Sequence, residues 1–397
     1  MLLQKHPKLG QTHSRLTWCF LAVFSCEGGI QSYVKDILTA YQDFYQLDEL
    51  TKPPINPESQ VLILRDSPES FNPLETPSSL FKFQYFKSQF PTWGRLQLAK
   101  ALLLDLLQER PERVLCGHIN LSHLVQTICQ PLGIPYTVLT YGKEVWAPLP
   151  TKYQKALQNA DQIWTISRYS RDQACLANHL NPKQFEMLPC MVNGEHFTPG
   201  PKPQHLIERY GLQDARVLMT VARLWKGDPY KGVDVTIRAL SQIAQVFPDV
   251  KYLVIGRGDD QPRLQQLAQD LGVSDRVVFA GFVPTEELVE HYRVCEGYVM
   301  PSQEGFGIVY LEAMACEKPV IAGDRDGSAD PLQDGKLGWQ VPHRDVDAVA
   351  QACIELLKGE DQRCNGPWLR QQSLASFGKP AFQNRVQRLL QQKVVLL

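Results

Sequence analysis

The chain has almost no net charge: 41 Lys and Arg stand against 42 Asp and Glu, a formal charge of −1 over 397 residues. Wrapping nucleic acid needs many phosphate contacts from basic side chains, so this balance excludes nucleic acid as the main partner. Metal-site patterns are missing as well. The 10 cysteines, from Cys19 to Cys364, form no CxxC pair and no His/Cys group at zinc spacing. They read as reduced, mostly buried thiols of a cytoplasmic protein. No apolar run is long enough to cross a bilayer. The stretch 17–25 is too short and ends at Glu27-Gly28-Gly29 rather than at a small-residue cleavage site. Any membrane contact is therefore expected to be peripheral, at the inner face. Repeats and low-complexity tracts are absent too. What is present is a globular composition, 44% hydrophobic and 21% charged, in more chain than one core usually organises, so two domains are expected.

Short apolar runs punctuated by Gly and Pro alternate with longer amphipathic segments, the pattern of βα units around parallel sheets. One set predicts strands at 18–24, 61–64, 114–116, 136–140 and 162–166, with a helix at 31–41. A second predicts strands at 217–221, 252–255, 277–280, 298–300 and 319–322, with helices at 264–271 and 307–316. The Pro-, Ser- and Glu-rich stretch 51–77 reads as a surface excursion. The turn-rich segment 193–201 reads as the hinge. The expected division is a polar tail 1–16, an N-terminal domain 17–195, a C-terminal domain 196–378, and a last helix in 379–397 packing back on the N-terminal domain.

The richest segment is Met300-Pro301-Ser302-Gln303-Glu304-Gly305-Phe306-Gly307-Ile308-Val309-Tyr310-Leu311-Glu312-Ala313-Met314-Ala315. A strand gives way to a glycine turn and then a helix, whose unpaired first N–H groups and positive end suit a phosphate. Glu304 and Glu312 stand eight positions apart, about 12 Å if the stretch were all helical. Spacing alone describes a capped surface helix with two solvated acids. The whole string, however, resembles the E-x7-E element of glycosyltransferase family 4, including Gly-Phe-Gly and Glu-Ala-Met-Ala, and the resemblance extends over nearly the entire chain.

That resemblance implies the GT-B fold, two Rossmann-like β/α/β domains facing across a cleft, with the nucleotide sugar held mainly by the second and the acceptor by the first. It implies that Glu304 hydrogen-bonds the donor sugar, that Glu312 binds the ribose, and that the backbone at Phe306, Gly307, Ile308 and Val309 touches sugar and phosphates. Fixed cations stabilise a departing diphosphate. By the same likeness Arg223 and Lys231 supply them, with Lys226 competing for the second role because the interval from Arg223 looks expanded. Gly28 and Gly29 resemble the family's N-terminal glycine loop, although a tight βα turn explains them equally well. The segment Ile255-Gly256-Arg257-Gly258-Asp259 lacks the third Gly of a dinucleotide fingerprint. The likeness places Gly256, Arg257, Phe282 and Val283 around the base instead.

The DxD of Asp324-Arg325-Asp326 reads as a loop after a strand rather than as a metal site, since Arg223 and a Lys already supply positive charge. Neither a metal nor another cofactor is expected; the nucleotide-diphosphate sugar is a co-substrate. On the acceptor side His118, Tyr141 and Glu144 are candidates, with Tyr141 standing where many relatives carry His. A glycan or lipid-linked acceptor is expected. The aromatic and basic residues of 81–87, with Phe90, Trp93 and Arg95, read as a half-buried strand and its connecting loop, the alternative being a surface for a membrane interface or a lipid-linked acceptor. The resulting expectation is a retaining, metal-independent hexosyltransferase. The alternatives are a non-catalytic sugar-nucleotide-binding protein and an epimerase or phosphorylase of the same fold.

Overall fold

The structure, a computed structural model, describes residues 15–49, 59–76 and 79–392. The tail 1–16, apart from Arg15 and Leu16, lies outside the described residues, as do 51–58, 77 and 78 from the stretch around the expected excursion.

Two sheets account for the alternating pattern. The first contains β1 (Leu16–Phe20), β2 (Ser59–Ile63), β3 (Phe81–Tyr85), β4 (Arg113–Cys116), β5 (Tyr136–Thr140), β6 (Gln162–Thr165) and β7 (Phe185–Met187), in the order β3-β2-β1-β4-β5-β6-β7. The second contains β8 (Arg216–Val221), β9 (Val250–Ile255), β10 (Val277–Gly281), β11 (Gly297–Met300), β12 (Val320–Gly323) and β13 (Trp339–Val341), in the order β10-β9-β8-β11-β12-β13. Its neighbours pair in parallel throughout. Strands β1, β4, β5, β11 and β12 are buried along their whole length, as strands covered by helices on both faces must be. This explains why they read as continuous apolar runs rather than alternating ones.

The chain forms two compact units. One comprises 1–165, 173–186 and 386–397, and the other 166–172 and 187–385. The segment 193–201 lies within the second, and the helix Lys379–Gln391 begins in the second and ends in the first.

Several boundaries depart from the sequence reading for identifiable reasons. β1 ends at Phe20 rather than 24 because the buried Asp66 carboxylate accepts the N–H groups of Val23 (2.9 Å) and Phe24 (2.7 Å), and the Ser25 hydroxyl (2.5 Å). These residues form a pinned loop. Phe90, Trp93 and Arg95 are not part of a connecting loop: a helix runs from Pro91 to Gln108, with Phe90 as its N-cap. β3 itself is the half-buried strand expected for 81–85.

In each sheet the strand order reverses once, between β1 and β4 and between β8 and β11. At such a point the loops leaving the carboxyl ends of adjacent strands run apart and leave a crevice, where ligands of open α/β sheets bind.

Candidate active site

In the second unit, the loop after β8 (222–232) and the loop after β11 (301–307) leave the two strands that flank the reversal. They are tied together. The N–H of Gln303 donates to the carbonyl of Tyr230 (3.1 Å), and the Lys231 ammonium donates to Glu304 Oε1 (2.5 Å). Gly232, at φ 73°, makes the approach feasible: a Cβ there would lie 2.5 Å from the Pro301 carbonyl oxygen. Gly232 is also the N-cap of the helix Val233–Val246, and Gly307, at φ 90°, is the N-cap of Ile308–Ala315. Neither has a capping side chain, so the first-turn N–H groups of both helices lack a side-chain cap beside the same pair of loops. Because Gly307 leaves helical geometry, only the second half of the Glu304 to Glu312 interval is helical. The 12 Å estimate for a continuous helix therefore does not apply to it.

Arg223 is held by a residue that the sequence did not single out. Its guanidinium donates to Asp228 Oδ2 from Nε (2.6 Å), and it lies over the Trp225 ring (5.2 Å to the centroid). Burial alone would raise the Asp228 carboxyl, but hydrogen bonds from Tyr230 and Arg223 and the charges of Arg223 and Lys231 outweigh it, holding it below the ordinary carboxylate range. Asp228 is nearly buried while the Arg223 side chain is 64% exposed, so a fixed anion anchors a cation that still reaches solvent. Lys226 has no such placement: its exposed side chain projects from a loop whose N–H donates to Asp259 (3.0 Å). Of the two competing lysines, Lys231 is the one brought to Glu304.

Asp326 holds the Glu304 loop from behind. One of its oxygens accepts the Glu304 N–H (2.5 Å) and the other accepts the Ser328 N–H (2.8 Å), while the Gly327 N–H donates to the Glu304 carbonyl (2.8 Å). Burial raises its carboxyl to about 6. The sequence reading placed this residue in a loop after a strand, which is where it lies. The contact to Glu304 carried no signal in the string.

Glu312 faces the buried Tyr292, whose hydroxyl donates to Oε2 (2.7 Å). Burial pushes the Glu312 carboxyl up to about 7, against the lowering effect of that hydrogen bond. Phe306 is buried against Phe377, Ile308 is partly exposed, and Val309 is half-buried in the first helical turn. Gly256 and Gly258 let their loop close on the loop after β8, since Cβ atoms there would fall 1.8 Å and 1.7 Å from the carbonyl oxygens of Ala222 and Leu224. Arg257 lies over the exposed Phe282 ring (4.7 Å), next to the buried Val283.

In the first unit the corresponding loops follow β1 and β4. Phe20, Leu21, Ser25, Gln31, Arg65 and His118 are among the residues lining a cavity of about 230 Å³. Gly28 and Gly29 open the helix Gly29–Glu49, and a Cβ on Gly29 would meet no atom within 4 Å. His118 is the N-cap of Ile119–Cys129, its Nδ1 accepting the Asn120 N–H (3.1 Å). Burial, helped by the Arg65 charge, lowers its pKa to about 4, so it is neutral at pH 7. Tyr141 donates to the Gly117 carbonyl (2.6 Å), and its own N–H donates to Glu144 Oε1 (2.5 Å). Burial raises the Glu144 carboxyl. His118, Tyr141 and Glu144 thus share one neighbourhood, with the Tyr141 hydroxyl directed to the loop after β4.

Residues 215–359 match the family model described as glycosyl transferases group 1. That span contains every second-unit candidate described above. The GDP-mannose-dependent alpha-(1-6)-phosphatidylinositol monomannoside mannosyltransferase of Mycolicibacterium smegmatis is 38% identical over 232 residues, 55% of this chain and 59% of the relative. The D-inositol 3-phosphate glycosyltransferase of Acidothermus cellulolyticus is 34% identical over 269 residues, 62% of this chain and 59% of the relative. The matched region thus spans about three fifths of these relatives' length. Among solved structures, Anabaena HepE in complex with UDP superposes with a TM-score of 0.73 at 16% identity, covering 95% of this chain and 99% of that one. Sucrose-phosphate synthase of Thermosynechococcus elongatus does so with a TM-score of 0.70 at 21% identity, with the same coverage. The two parallel α/β units have the GT-B fold.

Proposed function

We propose that this protein is a retaining glycosyltransferase that moves a hexose from a nucleoside-diphosphate sugar to an acceptor hydroxyl. The observation that carries this reading is the contact between Lys231 and Glu304 at the reversal of the second sheet, between two helix N-termini and within the loop set that holds Arg223. A carboxylate and a cation at hydrogen-bond distance suit a sugar joined to a phosphate: Glu304 accepts from a sugar hydroxyl while Lys231 and Arg223 face the diphosphate.

When the anomeric carbon parts from the β-phosphate oxygen, negative charge builds on the phosphate, and cations already in place stabilise it without reorganisation. The acceptor oxygen bonds to the same face of that carbon, and its proton passes to the departing phosphate oxygen, so retention needs no covalent enzyme intermediate. Glu312 takes the ribose hydroxyls, and Arg257 with Phe282 offers a flat cationic surface for the base. Neither a metal nor another cofactor takes part. The acceptor falls to the first unit, around Gly117, His118 and Tyr141. Two relatives are named for phosphatidylinositol mannoside and inositol phosphate substrates, which supports a polyol or lipid-linked acceptor and makes GDP-mannose the first donor to examine.

The test is binding and turnover with GDP-mannose, UDP-glucose and ADP-glucose, with and without chelator, comparing the parent with Glu304→Ala. Binding of one donor, its turnover in chelator, and loss of turnover in the folded variant are expected. A chain that binds none of these donors or any other activated sugar would refute the proposal.

A further inference from the structure

The helix Pro91–Gln108 buries Leu98, Leu102 and Leu106 in the first core, as an amphipathic helix should. Its opposite face is apolar as well. Trp93, Leu96, Leu103, Leu104 and Leu107, with Phe90 at the N-cap, are between 40% and 70% exposed. At 3.6 residues per turn the five helical positions fall in one sector of about 100°. Exposed leucines scattered singly are ordinary, but a continuous stripe on a helix marks a surface that something covers.

Its charge says what. Lys100 lies within the stripe, and Lys82 and Lys87 are exposed on and just after the edge strand β3. The one acid in the helix, Asp105, is buried and ion-paired with Arg15. A recess of about 500 Å³ between β3 and the helix has Lys82, Tyr85, Gln97, Lys100 and Leu104 in its lining.

We propose that this face docks on an anionic lipid bilayer. Tryptophan and leucines entering the acyl boundary, with lysines among and beside them at headgroup level, make the composition of an interfacial helix. A second copy of the chain fits less well, because an isologous contact across this stripe brings the two Lys100 ammonium groups together. The surface belongs wholly to the first unit and involves none of the residues assigned to the nucleotide sugar.

The test is co-sedimentation of the full chain with vesicles of phosphatidylcholine alone or with about 30% phosphatidylglycerol, using the parent, the double variant Leu96→Gln/Leu107→Gln, and Lys100→Glu. The parent should sediment with anionic vesicles and roughly tenfold less with neutral ones. Lys100→Glu should weaken anionic binding by about fivefold or more, and the leucine variant should lose it on both vesicle types. Circular dichroism and nucleotide-sugar binding should be unchanged in both variants, which separates this result from the fate of the donor site. A parent that stays in the supernatant, or variants that sediment like it, would overturn the proposal. Micromolar dimers dispersed by the leucine variant would overturn it too, giving the face to a second copy.

Discussion

Arg223 and Lys231 are cations held in place by carboxylates, Asp228 and Glu304. A cation positioned before the reaction lowers the barrier by more than one that must be gathered during it. Replacing Arg223 or Lys231 with Ala should therefore cost on the order of 3 kcal/mol in kcat/KM, roughly a hundredfold, with Lys226→Ala near the parent value. A loss for Lys226→Ala equal to the other two would return the phosphate role to that residue. Glu312 adds a pH-dependent effect. Its folded-state pKa of about 7 lies above the ordinary 4.5, so across that window the folded protein binds the proton more tightly than the unfolded chain. The stability contributed at this site thus falls as pH rises. Glu312→Gln should raise Tm over the parent at pH 8 and leave it unchanged near pH 4, measured by thermal unfolding. Its donor affinity should fall, since an uncharged amide accepts more weakly from a ribose hydroxyl.

The loops of the site take their shape from the elements beside them. Asp326 spans two, accepting from Glu304 in the loop after β11 and from Ser328 after β12. Asp326→Ala would leave these buried donors unsatisfied, costing about 1–3 kcal/mol in urea unfolding and lowering kcat as Glu304 loses its seat. Intact turnover in a destabilised variant would limit Asp326 to the fold. The sequence was legible where chemistry is local. The strand, glycine turn and helix around Glu304 could be placed because Gly307 and the apolar run behind it act on their own neighbours. Contacts between loops were not legible: nothing near Asp326 in the chain indicates Glu304, 22 residues away, and nothing near Asp66 indicates Val23, 43 residues away. The helix Pro91–Gln108 was missed for another reason. With apolar residues on both faces it lacks the periodic contrast by which helices are recognised.

At the scale of the whole chain, both sheets keep the same strand order around their reversal, which is why one set of rules located candidates in each unit. The division of the chain is less regular, because short segments leave one unit's stretch of sequence for the other. Such returns depend on packing between distant residues, which no local pattern encodes. One of them is anchored by a buried charge. Arg113, at the start of β4, donates to the carbonyls of Leu389 (3.4 Å) and Gln392 (2.7 Å), and burial lowers its pKa. Ending the chain after Arg385 would remove both carbonyls and leave Gln162 Oε1 (2.8 Å) as an acceptor for that guanidinium, with the lost bonds costing about 1–3 kcal/mol. Arg113→Met in the full chain should cost less, because it removes the charge along with the need for partners. Denaturant unfolding of the two proteins makes the comparison, and equal losses would show that the hydrogen bonds themselves, rather than a guanidinium short of partners, account for the stabilisation.

The pairing of Lys231 with Glu304 bears on selectivity. A stray sulfate or free phosphate reaching this ammonium must compete with a carboxylate already on it, and would leave that carboxylate with no proton donor in exchange. A molecule that carries a hydroxyl close to its phosphate can satisfy both partners at once. In the proposed reading the residues that perform the transfer thereby discriminate against the simple anions that abound in any cell.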